Sequence, residues 1–152
     1  MMTPAGFEHG YIVVNITVPL SSFVKENRLG LVTGAETGFQ IGHDPDTVRA
    51  PDIAFVRADR VPTERTVGFF QGAPDLAVEV VSPGDRASKV LAKVQDWLGA
   101  GCRAVWLIDP ANRTVSAYDD RNQVVTLRAS EELTGGEVLP GFRLPVAAIF
   151  EV

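Results

Sequence analysis

The chain has 152 residues, 45 % hydrophobic and 22 % charged, with a net charge of −5. That length fits a single domain, residues 1–152, around one core, and the composition excludes wholesale disorder. No apolar run approaches the ~20 residues needed to cross a bilayer. The one cysteine, Cys102, excludes an intrachain disulfide and a cysteine-rich zinc cage.

The opening MMTPAGFEHG has no basic segment leading into an apolar one. No signal peptide is therefore expected, and the expected compartment is the cytoplasm. Net negative charge argues against broad, nonspecific nucleic-acid binding, which draws on Lys and Arg. It leaves room for carboxylates gathered around a divalent cation, which reverses the local sign.

Residues 9–27 space Ile12, Val13, Ile16, Leu20, Phe23 and Val24 as one helical face. Pro19 is expected to kink that helix, and Asn27 to Gly30 to end it. Leu31–Thr33 and Thr37–Ile41 read as short strands, with turn residues from Gly42 to Asp46. Ile53–Val56 is a strand opened by Pro51-Asp52, and residues 57–73 form a long mixed excursion.

Leu76–Val81 reads as a central strand, apolar on both faces except for Glu79. Asp85 is placed to cap a helix from Arg86 to Leu98, which stops at Gly99 and Gly101. On a helical wheel Val90, Leu91, Val94, Trp97 and Leu98 form its buried stripe. Lys93 lies at the border of that stripe, and Lys89 further toward solvent. Ala104–Ile108 is a second buried strand, parallel to the first across the helix. Val115–Tyr118 and Val124–Leu127 form an edge hairpin, and the tail LPGFRLPVAAIF packs as a loop and a short helical turn. The order is helix, β-meander, helix, strand, hairpin, so an α/β fold with a central sheet flanked by helices is expected.

Glu79 is the residue that structure alone does not explain. A carboxylate inside LAVEVV is costly to bury without a partner, and Ala77 and Val81 share its face. The plain alternative is an edge strand with a polar face. Asp52, at the entry of another strand, is the natural companion. Two carboxylates converging from adjacent strands make an oxygen-rich site for Mg²⁺ or Mn²⁺. Such a site activates water and neutralises phosphodiester charge. Lys93 can extend along the sheet toward Glu79.

Asp75 precedes Glu79 by four residues, about 13 Å along a strand, too far for both to bind one ion. Asp109 reads as a turn former, His43 as solvated, and Cys102 as a small core residue; His9, beside Glu8, is a candidate to assist at the site, with a lone exposed histidine as the plainer reading. The GAG at 99–101 follows a helix rather than preceding one, so it is no phosphate loop.

The segments ETGFQIG…VRAPDIAFV, PDLAVEVVSPGD, KVQDWLGAGCRAVWLIDP and LPGF resemble, in that order, the Uma2-like endonuclease family, formerly a domain of unknown function, of the PD-(D/E)XK nuclease superfamily. The resemblance spans Gly30 to the C-terminus. It implies a restriction-endonuclease-like fold with a mixed central sheet, an N-terminal helix and a β-meander. It implies metal ligation by Asp52, Glu79 and the main-chain carbonyl of Val80, with Glu8 as the acidic contribution of the first helix. It implies Asp52, Glu79 and Lys93 as the catalytic set, Mg²⁺ or Mn²⁺ as cofactor, and DNA as partner. The chain departs from the superfamily pattern at Val81, where a lysine is expected; Lys93 on the following helix takes that place. The competing reading is a non-catalytic binding or assembly module on the same fold. A hydrolase of some other phosphoester would use the same residues. A homodimer is also expected, with the apolar tail as its pairing surface.

Overall fold

In the computed structural model, which describes residues 4–152, helix α1 spans Phe7–Glu26. Its stripe of Ile12, Ile16, Leu20 and Val24 is buried, each side chain contributing about 1.5–3 kcal/mol by leaving water. The helix runs through Pro19 without a break. It ends where the Asn27 side chain donates to the Phe23 carbonyl (2.9 Å) and Arg28 turns left-handed.

The strands follow as β1 (Gly30–Thr33), β2 (Phe39–Gly42), β3 (Thr47–Arg49) and β4 (Ile53–Arg57). A 3₁₀ turn at Ala58–Arg60 leads to β5 (Phe70–Gln71) and β6 (Leu76–Val80). Helix α2 (Ala87–Gly99) connects β6 to β7 (Ala104–Asp109). Then come β8 (Thr114–Asp119), β9 (Val124–Leu127), β10 (Glu132–Thr134), β11 (Arg143–Pro145) and the single-turn helix α3 (Val146–Ile149).

The main sheet has the order β1-β4-β6-β7-β8-β9. Within it β6 and β7 are parallel, as a strand–helix–strand unit requires, and the other pairs are antiparallel. This is the expected mixed sheet flanked by helices. The strands expected as one continuous meander are instead divided. β1 joins β4 in the main sheet, while β2 pairs with β3 and β5 in a separate three-stranded sheet. The excursion over residues 57–73 thus contributes a strand.

Alternation along the strands sorts the core into two layers. Ile53, Phe55, Leu76, Val78 and Val80 face α1 and the C-terminal tail. Ala54, Val56 and Ala77 face α2, where Val94 and Trp97 pack with Phe39 of the small sheet. Leu91, expected in the buried stripe of α2, is 47 % exposed. The first turns of α2 border a cavity rather than the sheet, and Val90 and Lys93 line that cavity. Asp85 does not cap α2: its carboxylate accepts from the Ser82 amide (2.8 Å) within the preceding turn. The tail is spent internally. Leu139, Phe142, Leu144, Val146, Ile149 and Phe150 are all buried in the α1-side core, which removes the apolar surface expected to pair two copies.

Asp75 is a buried structural carboxylate at the far end of β6 from Glu79. It accepts from the Arg57 amide (2.7 Å) and from Arg60 (3.0 Å), whose other nitrogen donates to the Ala73 carbonyl (2.7 Å). Asp75→Ala strands both donors and is expected to destabilise the fold by about 3–5 kcal/mol. Urea denaturation followed by circular dichroism measures it.

Candidate metal centre

The register of β4 against β6 pairs Ile53 with Val78 and Ala54 with Ala77. The ladder begins at Ile53; just ahead of it the Asp52 amide donates to the Val78 carbonyl (3.1 Å) and the Asp52 carboxylate accepts from the Val80 amide (2.7 Å), which sets Asp52 beside the end of β6 that carries Glu79. Asp52 and Glu79 share a cavity of about 670 Å³, which Glu8, His9, Val80, Val81, Val90 and Lys93 also border.

Each carboxylate is held by one oxygen. Asp52 Oδ2 accepts from the Val80 amide (2.7 Å) and lies 3.3 Å from His9 Nε2. Glu79 Oε2 accepts from Trp97 Nε1 (3.2 Å). Among the described residues no other side chain donates to either carboxylate, and the Asp52 amide lies close enough to Glu79 to favour its charged form; Asp52 Oδ1 and Glu79 Oε1 are the oxygens outside the Val80 and Trp97 bonds. Burial pushes the Glu79 carboxyl up from 4.5 to about 7, and the Asp52 charge adds to the shift. The Trp97 hydrogen bond and the Lys93 charge pull in the other direction without cancelling it.

The sequence-derived residues therefore meet. Asp52, Glu79, Val80 and Lys93 border one cavity, and Glu8 stands exposed at its rim. Two residues were assigned plainer roles than they have. His9 is not a lone exposed histidine: its side chain is 16 % exposed and rests against Asp52. Trp97 is a core residue, yet its N–H also holds Glu79. A tryptophan in a buried stripe needs an acceptor for that N–H, which was the available signal. Asp109 accepts from the Ala111 amide and the Asn112 side chain in a turn, and Cys102 is buried with its thiol pushed up to about 12.

A family model, Uma2, described as "Putative restriction endonuclease", matches residues 1–147. The chain belongs to the Uma2 family. The structure of this Uma2 domain is similar to one from Anabaena variabilis ATCC 29413, described as "a putative nuclease belonging to DUF820". The two share 25 % identity with a TM-score of 0.85, over 98 % of this chain and 83 % of that one. No curated protein matches the chain.

The nuclease-like fold implies a divalent cation, and the donor chemistry fits one. No cluster of three or more His, Cys, Asp or Glu side chains occurs among the described residues. Mg²⁺ does not ask for one, because it commonly takes one or two carboxylates and keeps several waters. The carboxylates of Asp52 and Glu79 are two groups of that kind bordering one cavity.

Without a cation, the buried Glu79 carboxylate burdens the fold. Glu79 holds its proton to about pH 7 when folded, against 4.5 for a freely solvated glutamate. The folded state then binds the proton more tightly, so stability falls as pH rises from about 4.5 through 7. In chelator, Glu79→Gln is expected to match the parent at pH 5 and exceed it by about 1–3 kcal/mol at pH 8.5. Urea melts at the two pH values give the difference.

Proposed function

We propose that this Uma2 domain is a Mg²⁺- or Mn²⁺-dependent endonuclease that hydrolyses DNA phosphodiester bonds with water as nucleophile. The observation that carries the reading is that Asp52 and Glu79 line one cavity, each held through one oxygen and with its other oxygen outside those side-chain hydrogen bonds. Asp52, Glu79 and the Val80 carbonyl would hold the ion. When bound, the ion supplies charge neutralisation on the phosphate and acidifies a water. Lys93, at the cavity wall and close enough to shift Glu79 electrostatically, is placed to stabilise negative charge developing on the phosphoryl group.

A net charge of −5 conceals a local cationic rim. Arg86, Lys89 and Lys93 line a recess of about 330 Å³ adjoining the cavity, and none of them forms an ion pair among the described residues. Such a rim suits a phosphodiester backbone. The second reading, a non-catalytic binding module, draws on Val81. Its apolar side chain borders the cavity where a lysine is expected.

Plasmid nicking in Mg²⁺ or Mn²⁺ decides between them. Asp52→Ala and Glu79→Ala are each expected to abolish it with the circular dichroism spectrum unchanged. Lys93→Ala is expected to slow it by about 10²–10³-fold. Equal nicking by the Asp52→Ala/Glu79→Ala double variant would overturn the nuclease assignment.

A further inference from the structure

We propose that His9, rather than Glu8, is the contribution of the first helix to this site, as the positioning residue for Asp52. The inference rests on the metal-site reading above and deepens it. Taking Ile12, Ile16, Leu20 and Val24 as the buried stripe of α1, at 100° per residue His9 falls at the centre of that stripe and Glu8 about 100° away from it. The fold agrees. His9 is largely enclosed and touches Asp52, while Glu8 is exposed.

The contact has a specific geometry. Nε2 of His9 lies 3.3 Å from Asp52 Oδ2, the same oxygen that accepts from the Val80 amide. The Val80 amide grips Oδ2 from β6 and the His9 ring faces the same oxygen from α1, so Oδ2 is confined from two sides and Oδ1 is left for a ligand. The Val80 amide alone is a single pivot about which the carboxylate can turn. His9 thus ties α1, which packs on one face of the sheet, to a carboxylate at the entry of β4. Partners of this kind orient metal ligands, and their loss typically costs about 10–100-fold in metal affinity.

The test compares His9→Ala, His9→Gln and Glu8→Gln by calorimetric titration with Mn²⁺ on the substrate-free protein. A second, metal-free readout is the ¹H–¹⁵N resonance of the Val80 amide, which reports the Asp52 hydrogen bond. His9→Ala is expected to weaken Mn²⁺ binding about 10–100-fold and to shift the Val80 amide. The amide of His9→Gln, whose side-chain N–H₂ can replace Nε2–H, is expected to return toward the parent position, with most of the affinity. Glu8→Gln is expected to stay within about twofold of the parent and leave the amide in place. A parent-like affinity and amide in His9→Ala would overturn the assignment, as would a loss in Glu8→Gln as large as in His9→Ala. Should the parent bind no Mn²⁺, the metal-site reading fails by itself, and the Val80 amide still decides whether His9 holds Asp52.

Discussion

The antiparallel register between β4 and β6 is the constraint on which the site depends. Pairing Ile53 with Val78 does two things at once. It sends Ile53, Phe55, Leu76, Val78 and Val80 to the α1 core, and it sets Asp52, at the entry of β4, beside the end of β6 that carries Glu79. A slip of one residue would reverse both sets. It would bury Asp52 or Glu79 among isoleucines and valines and turn large apolar side chains toward α2. The site is thus specified by the same hydrophobic pattern that specifies the sheet. Little separate information is needed to bring the two carboxylates together.

What the hydrophobic pattern does not supply is tolerance of two acids at short range. Burial and the Asp52 charge both favour the protonated form of Glu79, so the apo site works against folding at neutral pH. The surrounding residues soften this in stages. Ala54 and Ala77 keep the α2 face uncrowded next to the carboxylates. Trp97 donates to Glu79, the Val80 amide donates to Asp52, and Lys93 adds a positive charge nearby. None of these occupies the second oxygen of either carboxylate. The remaining electrostatic cost is the kind that a divalent cation offsets, since a bound ion inverts the local preference for protonation.

Glu79 could be found in the sequence because it breaks an otherwise apolar strand, and Asp52 because it opens the neighbouring one. The long helices, the central strands and the parallel β6–β7 pair were also legible, since periodicity and turn chemistry extend over many residues there. The short elements were not. β3, β5, β10 and β11 have two or three residues each, too few to show a period. β5 in addition depends on a partner distant in the chain, with Phe39 meeting Phe70. Asp85 failed as a cap for a related reason. A side chain of its type serves a turn or a helix start equally well, and the fold uses it for the Ser82 turn.

The contrast between Glu8 and His9 shows how residue type and position can point to different answers. An acid near the start of the first helix matches the chemistry expected of a metal site. Its neighbour matches the geometry, because it continues the line of Ile12 and Ile16 toward the open end of the sheet. Helical phase restricts where a side chain can reach more severely than chemical type does, since a step of one residue turns the side chain by about 100°. A polar residue in phase with an apolar stripe, one turn beyond its last buried member, is delivered to the edge of the core. At the N-terminal end of α1 that edge is the Asp52 carboxylate. The same logic applies to Trp97 on α2, whose ring fills the stripe while its N–H reaches Glu79. Both carboxylates are therefore gripped from helices that pack on the sheet through apolar stripes, so packing and ligand geometry are set by the same contacts.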